Sequence, residues 1–143
     1  MPLVYESQPL LPHLKRKRIN WSIKILKLNK QHFELFKKYC REYQEKFHLM
    51  GWDVHFEFIE LKGKRAETAF NLESSQATIA LCADWQDQVM LFNKKNLKLT
   101  AKHEMLHLFL GRMGELAQYR YVQRRELDAA EHEIIQKLEK LLP

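Results

Sequence analysis

His103-Glu104-Met105-Leu106-His107 places two imidazoles and a carboxylate within five consecutive residues, in HExxH spacing. On a helix, residues four apart share one face, so His103 and His107 can offer their rings to a single metal ion. Glu104 lies about 100° round the helix from His103. A carboxylate there stands beside the ion rather than on it, where a general base for a metal-activated water belongs. Chance supplies about 0.03 such matches in a chain with this content of His and Glu, so the pattern carries information. The chemistry it points to is hydrolysis.

A catalytic zinc typically takes three protein ligands and keeps a fourth position for water. The third ligand must come from elsewhere, and the end of the chain is rich in carboxylates: Glu126, Asp128, Glu131, Glu133 and Glu139. His132 is a lesser candidate. Periodicity predicts a helix from about Gln123 to Leu142, with Leu127, Ala130, Ile134, Leu138 and Leu141 on its buried side. Position 131 stands three before Ile134 and seven before Leu138, so Glu131 is expected to point inward. An unpaired carboxylate there would be costly, and a metal would satisfy it. Glu126 is the second candidate; the corresponding positions after it are Ala129 and Glu133, a less apolar setting. Glu133 and Glu139 are expected at the solvated surface, and Asp128 could back an imidazole N–H.

Several elements must position these groups. Phe33, Phe36, Cys40, Tyr43 and Phe47 follow 3-4-3-4 spacing, which predicts an amphipathic helix over Lys30–Met50, capped by Asn29 and closed by Gly51. Trp52, Val54, Phe56 and Phe58 alternate with polar residues as a half-buried strand does. Weaker strand signals cover Thr68–Leu72, Ala77–Cys82 and Gln88–Phe92, with Asp84–Asp87 as the loop joining the last two. Ile19, Trp21, Ile23 and Ile25 suggest a further short strand. A second helix, capped by Asn93 or Asn96, carries the HExxH and is expected to stop near Gly111 or Gly114. Leu99, Leu106 and Leu110 flank its histidine face. Helix, strands, helix, helix is the order of an α+β domain, and strands without helical crossovers predict a mostly antiparallel sheet.

The chain has 143 residues, 45% hydrophobic and 29% charged, which suits one globular domain spanning 19–143. Residues 1–18 hold Lys15, Arg16, Lys17 and Arg18 against Glu6 and read as an extended basic arm. The net charge of +6 permits an acidic partner without requiring one. No signal peptide or membrane span is recognisable, and the two cysteines, Cys40 and Cys82, form no CxxC pair. A reduced, cytoplasmic protein is the expectation.

An HExxH helix followed by a carboxylate on a later helix resembles the gluzincin branch of the zincin metallopeptidases. The likeness is to its minimal members, which combine a backing helix, a small sheet, an active-site helix and a glutamate helix. Bacterial and phage proteins with HExLHLxL and a late E-x-E-x-x-x-x-L-E look especially similar; here those are residues 103–110 and Glu131 to Glu139. The resemblance covers roughly residues 30–142, and only HExxH is specific. It implies zinc held by His103, His107 and Glu131, with Glu104 activating water. Thermolysin-like enzymes place an aspartate four residues after the glutamate ligand, where this chain has Ile135 after Glu131 or Ala130 after Glu126. The separation from His107 to Glu126 matches larger, aminopeptidase-like gluzincins better, so both assignments stay open.

The expected activity is zinc-dependent hydrolysis of a peptide or protein substrate. Tyr119, Tyr121, Arg120 and Arg124 are candidates for the oxyanion donor. An exposed edge strand, either 68–72 or 77–82, could align an extended peptide. Two alternatives are a non-catalytic zinc-binding interaction protein and a DNA-associated, SprT-like protease guided by the basic arm. The SprT-like proteases use a third histidine, and none lies between His107 and His132.

Overall fold

A computed structural model describes residues 25–86 and 93–142. The expected basic arm, most of the strand over residues 19–25 and the strand over 88–92 lie outside the described residues. The described elements are β1 (Ile25–Lys27), α1 (Lys30–Lys46), β2 (Asp53–Ile59), β3 (Ala66–Asn71), β4 (Gln76–Cys82), β5 (Asp84–Gln86), α2 (Lys94–Leu116) and α3 (Arg124–Leu141). The architecture is α+β, with three helices and a small three-stranded sheet.

Helix α1 forms where its aromatic stripe predicts. The Asn29 side chain accepts from the His32 N–H at 3.0 Å, and the Asn29 N–H donates to His32 Nδ1 at 3.1 Å, a reciprocal cap. Phe36 and Cys40 are wholly buried, and Phe47 nearly so. The helix ends at Lys46, earlier than expected, and Gly51 does not close it. His48 takes the left-handed conformation (φ 55°), and the buried Gln44 side chain donates to the carbonyls of Leu49 and Trp52. These bonds anchor the turn into β2.

The sheet order is β2-β4-β3. Two of the three ladders, β3–β4 and β1–β5, are antiparallel as expected, whereas β2–β4 is parallel. Parallel strands need a crossover, and here a strand supplies it in place of a helix. Residues 60–65 carry the chain past β4, and β3 returns along the edge before turning into β4. Six residues reach up to about 20 Å, against about 10 Å for two strand spacings, so the loop spans the step with chain to spare.

The register puts Val54, Phe56 and Phe58 beside Ala77, Ile79 and Leu81, and those beside Phe70, Thr68 and Ala66. This face carries the helices. Phe33 of α1 stacks on Phe58 of β2 with centroids 5.1 Å apart, while α2 lies over β3. Phe47 and Phe109 meet edge to face where α1 and α2 touch. The core between the layers holds Phe36, Cys40, Leu49, Ile79, Leu81, Leu97, Ala101, Met105 and Leu108.

Two expectations at element boundaries need correction. Asp84–Gln86 is not a loop but the strand β5, pairing Leu26 with Trp85. Asn93 caps α2 as expected, its side chain accepting from the Asn96 N–H at 2.8 Å, but the helix runs past Gly111 and Gly114 to Leu116. Gly111 serves packing instead of termination. A Cβ there would stand 3.0 Å from Cζ of Phe70, so the missing side chain lets β3 approach the helix.

Candidate functional site

The HExxH lies wholly within α2, and its three polar groups divide between surface and core. His103 and His107 are exposed, while Glu104 is only 5% exposed. The two histidine Nε2 atoms are 3.2 Å apart, with the rings nearly perpendicular at 82°. Two nitrogens each about 2.05 Å from a tetrahedral zinc would stand about 3.3 Å apart. The same spacing suits an N–H···N hydrogen bond between the two rings, with the donor set by the tautomer, and it holds the pair at a chelating separation. Two corners of a zinc tetrahedron therefore fit the residues present.

Glu104 is held by the sheet. Thr68, on the inward face of β3, lies with Oγ1 2.5 Å from Glu104 Oε2 and donates its hydroxyl proton to the carboxylate. A buried carboxylate needs such a partner. The Cys40 thiol lies near enough on the other side that its pKa is pushed far up, first by burial and then by the Glu104 charge. Cys40 is thus a core residue and no nucleophile.

Beside these groups lies a cleft of about 370 Å³ lined by Arg65, Ala66, Leu99, Thr100, His103 and Glu104. It leaves the otherwise buried Glu104 open to solvent on one side. The sequence pointed to Glu104 and His103 from spacing alone. It did not single out Thr68 or Arg65, which come from another part of the chain. Thr68's inward register was the one available signal, a polar residue on a strand face that otherwise packs hydrocarbon.

The third-ligand expectation fares differently. Among the described residues, no group of three His, Cys, Asp or Glu side chains converges so as to hold a metal ion. Glu131 is exposed and not turned inward as its phase predicted. The inward positions of α3 are Leu127, Ala130, Glu133, Ile134, Lys137 and Leu141, of which Ala130 is fully buried. Glu133, expected at the solvated surface, is half-buried. It accepts from Arg112 Nη1 at 2.9 Å and from Lys137 Nζ at 2.8 Å. Burial works against its charge, but the hydrogen bonds and charges of Lys137 and Arg112 prevail and hold its carboxyl below the ordinary value.

This ion-pair cluster fixes where α3 sits. Arg112 and Phe109, which meet Glu133 and Lys137, stand about 160° and 220° round α2 from the midpoint of the histidine pair. Helix α3 therefore packs on the side of α2 away from the histidines. Glu126 is engaged in capping, its Oε2 accepting from the Gln123 N–H at 2.7 Å. Asp128 stands 3.9 Å from Arg124, and His132 turns Nδ1 to the Asp128 carbonyl. Glu139 is exposed.

The proposed oxyanion donors do not reach the cleft either. Tyr119, Arg120 and Tyr121 are exposed in the connection after α2, where Arg120 stacks on Tyr121, and Arg124 is almost fully exposed. From His107 to the end of α2 at Leu116 is about 13 Å along the axis at 1.5 Å per residue.

No family model matches the chain, and neither curated proteins nor solved structures give a match. Among the described residues, no helix is long and apolar enough to cross a membrane.

Proposed function

We propose that the chain is a zinc-dependent metallopeptidase in which His103 and His107 grip the ion and Glu104 is the general base. The observation that carries this reading is one arrangement on α2. An exposed histidine pair at chelating separation stands next to a buried, hydrogen-bonded carboxylate that opens on a cleft. A bound zinc would supply Lewis acidity and make water a competent nucleophile near neutral pH. Glu104 is the residue that would accept a proton from the attacking water and deliver it to the leaving amine. Thr68 fixes one carboxylate oxygen and so sets the direction of the other, which keeps the proton-transfer geometry constant.

The sheet supports a peptide substrate. Strand β4 is central and β3 is an edge of the three-stranded sheet, beside α2. The outer side of β3 can pair with an extended chain through backbone hydrogen bonds, which would lay that chain along the cleft. Incubating the zinc-loaded protein with an unstructured polypeptide and reading new termini by mass spectrometry tests the activity. Cleavage at internal bonds is expected. Zinc uptake without any cleavage would leave a binding protein in its place.

Glu131 remains the proposed third ligand, by the chemistry of α3 and not by its present position. Glu126 is occupied as a cap and Glu133 by two cations, whereas Glu131 is exposed and tied to neither role. Reaching the histidines requires α3 to leave its seat on Phe109 and Arg112. Glu131→Ala is expected to weaken zinc binding by at least about tenfold, as loss of one ligand of three should. Isothermal titration with zinc reads this directly. Unchanged affinity would mean that α3 supplies no ligand through Glu131.

A further inference from the structure

We propose that Arg65 is the residue that binds the substrate carbonyl oxygen and stabilises the negative charge that grows on it. Resting on the peptidase reading above, this fills a role for which none of the sequence-derived oxyanion candidates is in place.

Three observations lead to Arg65. Among the described residues it is the one guanidinium or ammonium lining the cleft that also holds His103 and Glu104. Its guanidinium carbon lies 5.2 Å from the ring centroid of Trp85, a buried residue of β5. Its backbone is fixed as well, since the Arg65 carbonyl accepts from the Cys82 N–H of the central strand at 2.8 Å. A cation stacked on a buried indole, on a backbone bonded into the sheet, is pre-organised, and pre-organised charge is what transition-state stabilisation requires. A guanidinium carries five N–H donors in its plane, so Arg65 can take on a further oxygen beside the partners it already has.

The position also suits the substrate path. Arg65 immediately precedes β3, and Thr68, which holds Glu104, follows three residues later. An extended peptide on the outer edge of β3 would pass from one to the other. When water adds to the scissile carbonyl carbon, the π electron pair moves onto the oxygen and Glu104 takes the water proton. Arg65 receives that oxygen as a hydrogen-bond acceptor and keeps all its own protons. The pair returns to re-form the carbonyl as the amine leaves.

The test compares Arg65→Met and Arg65→Lys with the wild type in three measurements. These are peptide cleavage, zinc content, and affinity for a phosphonate analogue of a Leu-Leu peptide bond, whose oxygens mimic the charged tetrahedral centre. Arg65→Met is expected to lose about 10²-fold in kcat with little change in KM, and to bind the phosphonate at least tenfold more weakly while holding zinc normally. Arg65→Lys, which keeps the charge and the contact with Trp85 but not the planar fork, is expected to fall between the two. It also serves if the Met variant fails to fold. Wild-type kcat and phosphonate affinity in a folded variant would overturn the role of Arg65 alone. A zinc-loaded wild type that neither cleaves peptide nor binds the phosphonate would overturn the peptidase reading and this assignment with it.

Discussion

Glu104→Gln is expected to take up zinc as the wild type does and to lose peptide cleavage by a factor of about 10²–10⁴. The substitution keeps the shape of the side chain, and an amide oxygen can still accept the Thr68 hydroxyl that now lies 2.5 Å from the carboxylate. The fold has little reason to change. What disappears is the basic oxygen that takes a proton from water. Thermal unfolding and zinc titration check the fold and the metal, and a peptide assay checks the chemistry. If Glu104 served only as a satisfied buried carboxylate behind the helix, the Gln variant would cleave at wild-type rate. Full activity would therefore remove the general-base role, whatever else the site binds.

The second large effect belongs to the histidines. His103→Ala and His107→Ala are each expected to weaken zinc binding by at least about 100-fold and to remove cleavage with it, because one imidazole cannot hold the ion alone. Both rings are exposed, so each change should alter unfolding stability by no more than about 0.5 kcal/mol. That asymmetry is diagnostic. Histidines that merely packed against the helix surface would give small effects on both quantities. Structural histidines would give a large loss of stability and no loss of metal. The two single variants should also resemble each other, since the rings meet at 3.2 Å and on the proposed reading would share the ion equally.

Much of the frame was legible in the residues because it rests on periodicity. The stripe from Phe33 to Phe47 is helix α1, the alternation from Val54 to Phe58 is β2, and Asn29 and Asn93 cap the helices that follow them. The HExxH was legible for the same reason, since four residues of helix bring two side chains to one face. The larger features missed depend on contacts distant in sequence. Strand β5 has three residues, too few for a period, and exists because Trp85 pairs with Leu26. The parallel ladder arises because β3, a strand, does the work expected of a helix.

Glu131 shows the limit most clearly. Helix α3 carries apolar residues over a broad arc, with Leu127, Ile134, Ile135, Leu138 and Leu141, so its own pattern allows more than one buried lane. Contact with the core and with α2 seats Ala130, Ile134 and Leu141 and pairs Glu133 with the charge of Arg112, so Ile135 and Leu138 stay exposed. A single helix's periodicity cannot contain its partner's charge. Thr68 and Arg65 escaped notice on similar grounds, because the fold alone brings them to Glu104.

Zinc content is the most direct measure of the central claim. The purified chain, dialysed against micromolar zinc and then freed of excess, should return one zinc per protein molecule by elemental analysis, and His103→Ala should return almost none. A wild type without zinc, or a His103→Ala variant with as much zinc as the wild type, would contradict the account at its base.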